Sequence, residues 1–216
     1  CVTLLVVSML SITAHAQGSA GEDYKGYRLS HEEMQKIAGK NLLSHRIFYT
    51  PSKGPDAAWF DAVKKGDMAL VKKMVEAGQD IEAKDEASLQ QTALGWAAFI
   101  GYLDIVELLK EKGANLFATD KADVQHSFKS AVLGGNMDVI NYLYPLMKDK
   151  INLNAQDERD GETALMVAAW NNRIETVKFL IEKGADINIV ALVKGVPAYN
   201  HSALTYACKE GNTEIV

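Results

Sequence analysis

The 216-residue chain sets 23 Lys and Arg against 28 Asp and Glu, a formal charge of −5, with 48% hydrophobic and 24% charged residues. That is the composition of a soluble globular protein able to bury a core, and its acidic balance, without a clustered basic excess, excludes a nucleic-acid-binding surface. Two cysteines, Cys1 and Cys208, exclude a disulfide framework within a mature chain.

The first predicted element is a targeting segment. CVTLLVVSMLSITAHAQG is an uncharged apolar run ending in Ala14-His15-Ala16, the small-x-small pattern of a signal-peptidase site. Val2 to Ile12 is too short to span a bilayer, which takes about 20 apolar residues. Residues 1–16 are therefore expected to be a signal peptide truncated at its start and cleaved after Ala16. The mature chain would begin near Gln17, work outside the cytosol as a periplasmic or secreted protein, and have no membrane attachment. A retained anchor or a core helix is the alternative.

Residues 17–56 follow as a capping segment or linker. Ser30-His31-Glu32-Glu33 forms a capping box ahead of MQKIAGK, with Gly39 as its stop. Pro51-Ser52-Lys53-Gly54-Pro55 reads as a turn or linker. The segment is expected to cover the exposed apolar face of whatever follows it.

From residue 57 onward the chain repeats itself. AAWFDAVKKGDMALVKKMVEAGQDIEA (57–83), TALGWAAFIGYLDIVELLKEKGANLFA (92–118) and TALMVAAWNNRIETVKFLIEKGADINI (163–189) share one pattern. HSFKSAVLGGNMDVINYLYPLMKDKINLNA (126–155) is a weaker copy, and SALTYACKEGNTEIV (202–216) begins a fifth that stops partway. The equivalent alanines Ala62, Ala97, Ala131, Ala168 and Ala207 lie 35, 34, 37 and 39 residues apart. A period slightly above about 33 residues, with insertions, predicts a solenoid of helix pairs.

Each part of the unit has a physical job. Thr92, Thr163 and Ser202 stand where a side-chain oxygen caps the first helix. Ala97-Ala98 and Ala168-Ala169 keep that helix thin, so the next repeat approaches closely. Ile105, Val106, Leu108 and Leu109 form an apolar stripe on the second helix, and Val177, Phe179, Leu180 and Ile181 repeat most of it. Gly78, Gly113 and Gly184 stand where a left-handed C-cap favours glycine. Stripes on both helices require neighbours to stack.

Asp160-Gly161-Glu162-Thr163-Ala164-Leu165 with Ala168-Ala169, followed by Gly184-Ala185-Asp186-Ile187-Asn188, resembles the ankyrin repeat. The resemblance covers about residues 57–216. It implies an all-α ankyrin-repeat solenoid of stacked helix-turn-helix units with β-hairpin-like finger loops. Repeats would lie near 57–85, 92–120, 126–157, 163–189 and 202–216, the last truncated. Ala93, Ala164 and Ala203 replace the family proline, and Phe60, Gly95, Lys129, Met166 and Thr205 its histidine. The missing histidine removes a bond between neighbouring loops.

Insertions mark loops. Two residues are added before Thr92, three lengthen the stretch around Pro145, and six extend the loop 189–201, IVALVKGVPAYNH. That last loop, with Gly195 and Pro197, should project as an ordered finger on the binding face, if the added length is more than neutral drift.

Enzyme signatures are missing: the sequence holds no P-loop, GxGxxG, GxSxG or HExxH. The five histidines stand apart from any cysteine or acid at metal-ligand spacing. His126 takes a cap-like position, Asp157-Glu158-Arg159-Asp160-Gly161 fits a turn better than a calcium loop, and Cys208 is expected to be a buried small hydrophobe. No cofactor or metal is expected.

What the resemblance leaves is a surface. Family members grip partners with loop tips and with the two positions after the alanine pair. Here these are Lys64-Lys65, Phe99-Ile100, Leu133-Gly134, Trp170-Asn171 and Lys209-Glu210. They imply a non-enzymatic module that binds another protein through its concave groove, with Trp170 and Phe99 as anchors, unless a finger or the N-terminal segment folds over them. Export makes it similar to ankyrin proteins sent to the bacterial periplasm, or to a host-directed effector. Two rivals stand beside this reading. One is a repeat region of a larger enzyme or effector whose active domain lies beyond residue 216. The other is a structural spacer or tethered scaffold.

Overall fold

The computed structural model describes residues 52–87, 90–121, 126–158 and 160–216. The expected signal peptide, the capping box at Ser30 and the rest of the segment up to Pro51 lie outside the described residues.

Nine helices and one short hairpin make up the described residues. They run α1 Ala57–Lys65, α2 Met68–Glu76, β1 Lys84–Asp85, β2 Gln91–Thr92, α3 Ala93–Ile100 and α4 Leu103–Glu111. There follow α5 Ser127–Gly134, α6 Met137–Met147, α7 Ala164–Trp170, α8 Ile174–Glu182 and α9 Ala203–Glu210. The first helices of the units stack in one row, α1 on α3, α3 on α5, α5 on α7 and α7 on α9, while α2, α4 and α6 form an outer row. The small residues explain the close inner row: Ala97, Ala98, Ala131, Ala168, Ala169 and Ala207 are all fully buried.

The expected caps form. Thr92 Oγ1 accepts from the Gly95 amide at 2.9 Å and Thr163 Oγ1 from the Met166 amide at 3.3 Å. Ser202 Oγ accepts from the Thr205 amide, and Thr205 Oγ1 accepts from the Ser202 amide at 2.7 Å. Thr205 occupies one of the five positions where the family histidine is lost, and its hydroxyl supplies a local bond instead. Gly78, Gly113 and Gly184 all sit at positive φ just past the outer helices, as their positions predicted.

Two insertions take definite forms. The residues before Thr92 close an antiparallel hairpin with Lys84 opposite Thr92 and Asp85 opposite Gln91. The lengthening around Pro145 is not a loop. It extends α6 to 11 residues with Pro145 inside the helix, against nine in α2, α4 and α8.

A bond that the sequence did not announce ties every pair of neighbouring units. The residue after the turn between a unit's two helices donates to a carbonyl in the last inner turn of the unit before. Tyr102 Oη donates to the Lys64 carbonyl at 3.2 Å, and Asn136 Nδ2 to that of Phe99 at 3.1 Å. Arg173 Nε donates to the Leu133 carbonyl at 3.1 Å, and Asn212 Nδ2 to the Ala169 carbonyl at 2.7 Å. Each bond gives a donor to a carbonyl in the last turn of an inner helix, where intrahelical donors run out; the Ala169 carbonyl also accepts from the Asn172 amide at 3.3 Å.

Candidate interaction surface

The residues expected on the concave groove separate into two groups. Lys64, Phe99 and Ile100 are buried, and this corrects the expectation that they face a partner. The physical reason lies in α3, ALGWAAFI, which is apolar on every side and buried at all eight positions; a helix apolar all round is a core helix. Phe99 packs edge-on to Trp96 at 6.1 Å. The inner row is so close here that a Cβ on Gly134 would stand 1.9 Å from the Phe99 carbonyl oxygen.

Lys64 is buried for a different reason. Its ammonium turns inward, 2.6 Å from Asp85 Oδ2, donates to Ser52 Oγ at 2.8 Å, and lies 4.5 Å over the Trp96 ring. Ser52 Oγ and Trp96 Nε1 both donate to Asp85 Oδ2, at 3.3 and 3.1 Å. Burial pushes the Lys64 ammonium below its usual range, and the bond to Asp85 opposes that shift. Ser52 thus belongs to the core of the first two units rather than to a linker.

The second group remains accessible. Lys65, Lys209 and Glu210 are exposed, while Leu133, Gly134, Trp170 and Asn171 are half-buried. Trp170 stacks on Tyr206 with centroids 5.5 Å apart and planes 17° from parallel. Tyr206 also meets His201 at 4.9 Å, and its hydroxyl donates to the Glu162 carboxylate. Burial, and then that bond, raise the Tyr206 phenol well above its ordinary range. Cys208, expected in the core, is exposed. It stands where Ala98 and Ala169 stand in earlier units, but no described element packs on that side of α9.

The 189–201 finger is ordered as expected. The Ala191 amide donates to the His201 carbonyl at 2.9 Å and the Asn200 amide to the Ala191 carbonyl at 2.7 Å. Ala191 and Ala198 are buried, whereas Leu192 is 68% and Tyr199 42% exposed. The His201 ring nitrogen Nδ1 lies 3.1 Å from the Tyr199 carbonyl. An unbroken chain of contacts therefore runs from Trp170 through Tyr206 and His201 to the finger.

His126 caps α5 as its position predicted, accepting the Lys129 amide on Nδ1 at 3.3 Å. Burial first, and the Lys129 charge second, lower its pKa to about 4. A histidine with a depressed folded pKa leaves the unfolded chain holding more protons between the two values. Its stabilisation is present above about pH 6.5, the unfolded value, and is lost as the pH falls toward 4. His126→Thr keeps a cap oxygen and removes the titration. Urea unfolding from pH 7 to pH 4 should then show the wild type losing about 2–3 kcal/mol more than the variant. Parallel losses would disprove the assignment.

Comparison with known proteins places these features in a family. The family described as "Ankyrin repeats (3 copies)" matches residues 59–157 and 127–191. The chain belongs to the ankyrin-repeat family. It is 31% identical over 176 residues to the ankyrin repeat and KH domain-containing protein mask-1 of Caenorhabditis elegans, a match covering 70% of this chain and 6% of that protein. It is 27% identical over 157 residues to the ankyrin repeat domain-containing protein SAT10 of Stachybotrys chartarum, covering 73% of this chain and 8% of that protein. A third relative, the palmitoyltransferase AKR1 of Lachancea kluyveri, is 29% identical over 120 residues, 56% of this chain and 16% of the enzyme. The chain thus spans less than a tenth of the first two relatives. Ankyrin repeats are a non-catalytic fold for protein–protein interaction, and in the palmitoyltransferase the matched stretch is only a part. No helix among the described residues is long and apolar enough to cross a membrane.

Proposed function

We propose that this ankyrin-repeat chain is a non-enzymatic module that binds another protein through its fingers and the accessible end of its groove. The observation that supports this is the group of accessible aromatic and apolar side chains gathered around the buried Tyr206: half-buried Trp170 and His201 pack against it, and Leu192 and Tyr199 stand exposed on the 189–201 finger. Large apolar side chains exposed together mark interaction sites, and aromatic anchors dominate such interfaces. Lys209 and Glu210, exposed at the end of α9, supply a charged rim.

Affinity capture with the wild type and with Leu192→Asp plus Tyr199→Ser tests the surface. A partner held there should be retained at least about tenfold less well by the variant, since central apolar anchors are worth about 2 kcal/mol or more. Equal recovery by both proteins would refute the assignment.

Export belongs to the same proposal and is supported by the apolar run Val2 to Ile12 ahead of Ala14-His15-Ala16. The intact mass of protein isolated from its native compartment should correspond to a chain beginning at Gln17. A mass that retains residues 1–16 would contradict export by cleavage.

A further inference from the structure

The outer helix of the first unit leaves open a face that every later unit closes. Two positions decide this, three and seven residues past the donor that ties a unit to the one before. They are buried as Ile105 and Leu109 in α4, Val139 and Leu143 in α6, and Thr176 and Leu180 in α8. In α2, counted from Asp67 in the donor's place, they are Leu70, 40% exposed, and the half-buried Met74. The first and second units both have a unit packed behind them. The difference therefore marks the side that faces away from the second unit, where a neighbour in front would lie.

That side is apolar on one helix only. On α1, Ala58, Asp61 and Lys65 occupy the positions at which Ala93, Trp96 and Ile100 are buried in α3. Ala58 and Lys65 are exposed, and Asp61 accepts the Ser52 amide at 3.4 Å. The inner half is thus suited to water. A further two-helix unit or a second copy laid across the whole side would bury the Lys65 and Asp61 charges, at a cost. One helix laid on α2 would not.

The chain carries a segment of that size. The capping box at Ser30-His31-Glu32-Glu33 and the stop at Gly39 frame an expected helix over residues 31–38. Met34, Ile37 and Ala38, spaced i, i+3 and i+4, fall on one side of it, with Glu33 at the border. Lys73 is exposed beside Met74, where α4 has Leu108, so opposite charges meet at the edge and favour this placement. A helix of eight residues is too short to persist alone in water, so it depends on the face that it covers. Residues 40–51 join it to Ser52, which hydrogen bonds to Asp61 and Asp85 fix on the first two units. Extended, that tether spans about 40 Å, several times the separation of about 10 Å between packed helix axes.

We propose that residues 30–39 dock as a single helix on the open side of α2, with Met34 and Ile37 against Leu70 and Met74 and Glu33 beside Lys73. The surface lies on the first unit and Trp170 on the fourth, so either can fail without the other.

Methyl NMR of the whole chain tests the docking. Nuclear Overhauser contacts should join the Ile37 Cδ1 methyl to the methyls of Leu70 and Met74, and a mixture of differently labelled chains should show them to be intramolecular. Amide exchange gives a second readout. Ile37→Asp should speed exchange in α2 at least about tenfold and leave α6 and α8 unchanged. Lys36→Asp, on the opposite side of the same helix, should match the wild type. Three results would overturn the proposal: no contact between residues 30–39 and α2, contacts only between differently labelled chains, or α2 exchange that Ile37→Asp leaves as in the wild type. The second would make another copy of the chain the occupant.

Discussion

Asp85→Asn is expected to destabilise the protein by about 3–5 kcal/mol, the usual cost of removing one partner of a buried ion pair. The substitution keeps the volume and keeps an oxygen for Trp96 Nε1, now 3.1 Å from Asp85 Oδ2. The loss therefore reports the Lys64 ammonium left without its carboxylate. Burial already pulls that ammonium's pKa down, and Asp85 holds it up. In the variant the folded pKa falls further below the unfolded value of 10.5. The added penalty is then greatest near neutrality and shrinks as the pH rises and the buried amine sheds its proton. Adding Lys64→Met should return at least about half of the loss, since a neutral pair in that place is often as stable as the charged one. Urea unfolding of the two single variants and the double variant gives the coupling. A cost below about 1 kcal/mol, or strictly additive losses, would show that the pair is not closed in the way described.

Gly101→Ala is expected to cost about 2–4 kcal/mol, from two sources that a control separates. At φ +100 any residue with a Cβ meets a conformational cost of about 1–2 kcal/mol. A Cβ there would also stand 2.2 Å from Asn136 Oδ1, and the side chain displaced is the one that holds the Phe99 carbonyl. Overpacking of that kind adds about 1–3 kcal/mol. Gly113 has a similar φ of +92 but nothing within 4 Å of the position a Cβ would take. Gly113→Ala should therefore show the conformational cost alone. Equal losses at the two sites would mean that the contact between the second and third repeats is loose at this point.

Much of the fold was legible because its signals are local. The caps at Thr92, Thr163 and Ser202, the glycines that end the outer helices and the buried alanines all follow from short-range geometry, and the structure contains each of them. The surface was less legible because burial in a solenoid is decided by the next repeat. Phe99 and Ile100 share a helix with no polar residue, and that composition was the available sign that they belong to the core. Lys64 gave no such sign, since its partner Asp85 lies in the hairpin 21 residues later and only the folded register brings them together. The bonds between repeats were hidden for another reason. Tyr102, Asn136, Arg173 and Asn212 do the same job with three kinds of side chain, so a search for one repeated residue passes over them. What they share is a donor directly after the turn residues Gly101, Gly135, Asn172 and Gly211.

The half-buried Trp170 sharpens the account of binding. Its stacking on Tyr206 fixes its ring before any partner arrives, which lowers the ordering cost of using it as a contact. The finger is likewise closed at its base by two backbone bonds between Ala191 and the pair Asn200-His201. Leu192 and Tyr199 are thus presented by a framed loop.

Amide hydrogen exchange of the protein bound to its captured partner tests the central claim most directly. The account predicts slowed exchange in 189–201 and at the ends of α7 and α9, with α2, α4, α6 and α8 unchanged. Protection on those outer helices, with the finger exchanging as in the free protein, would contradict it.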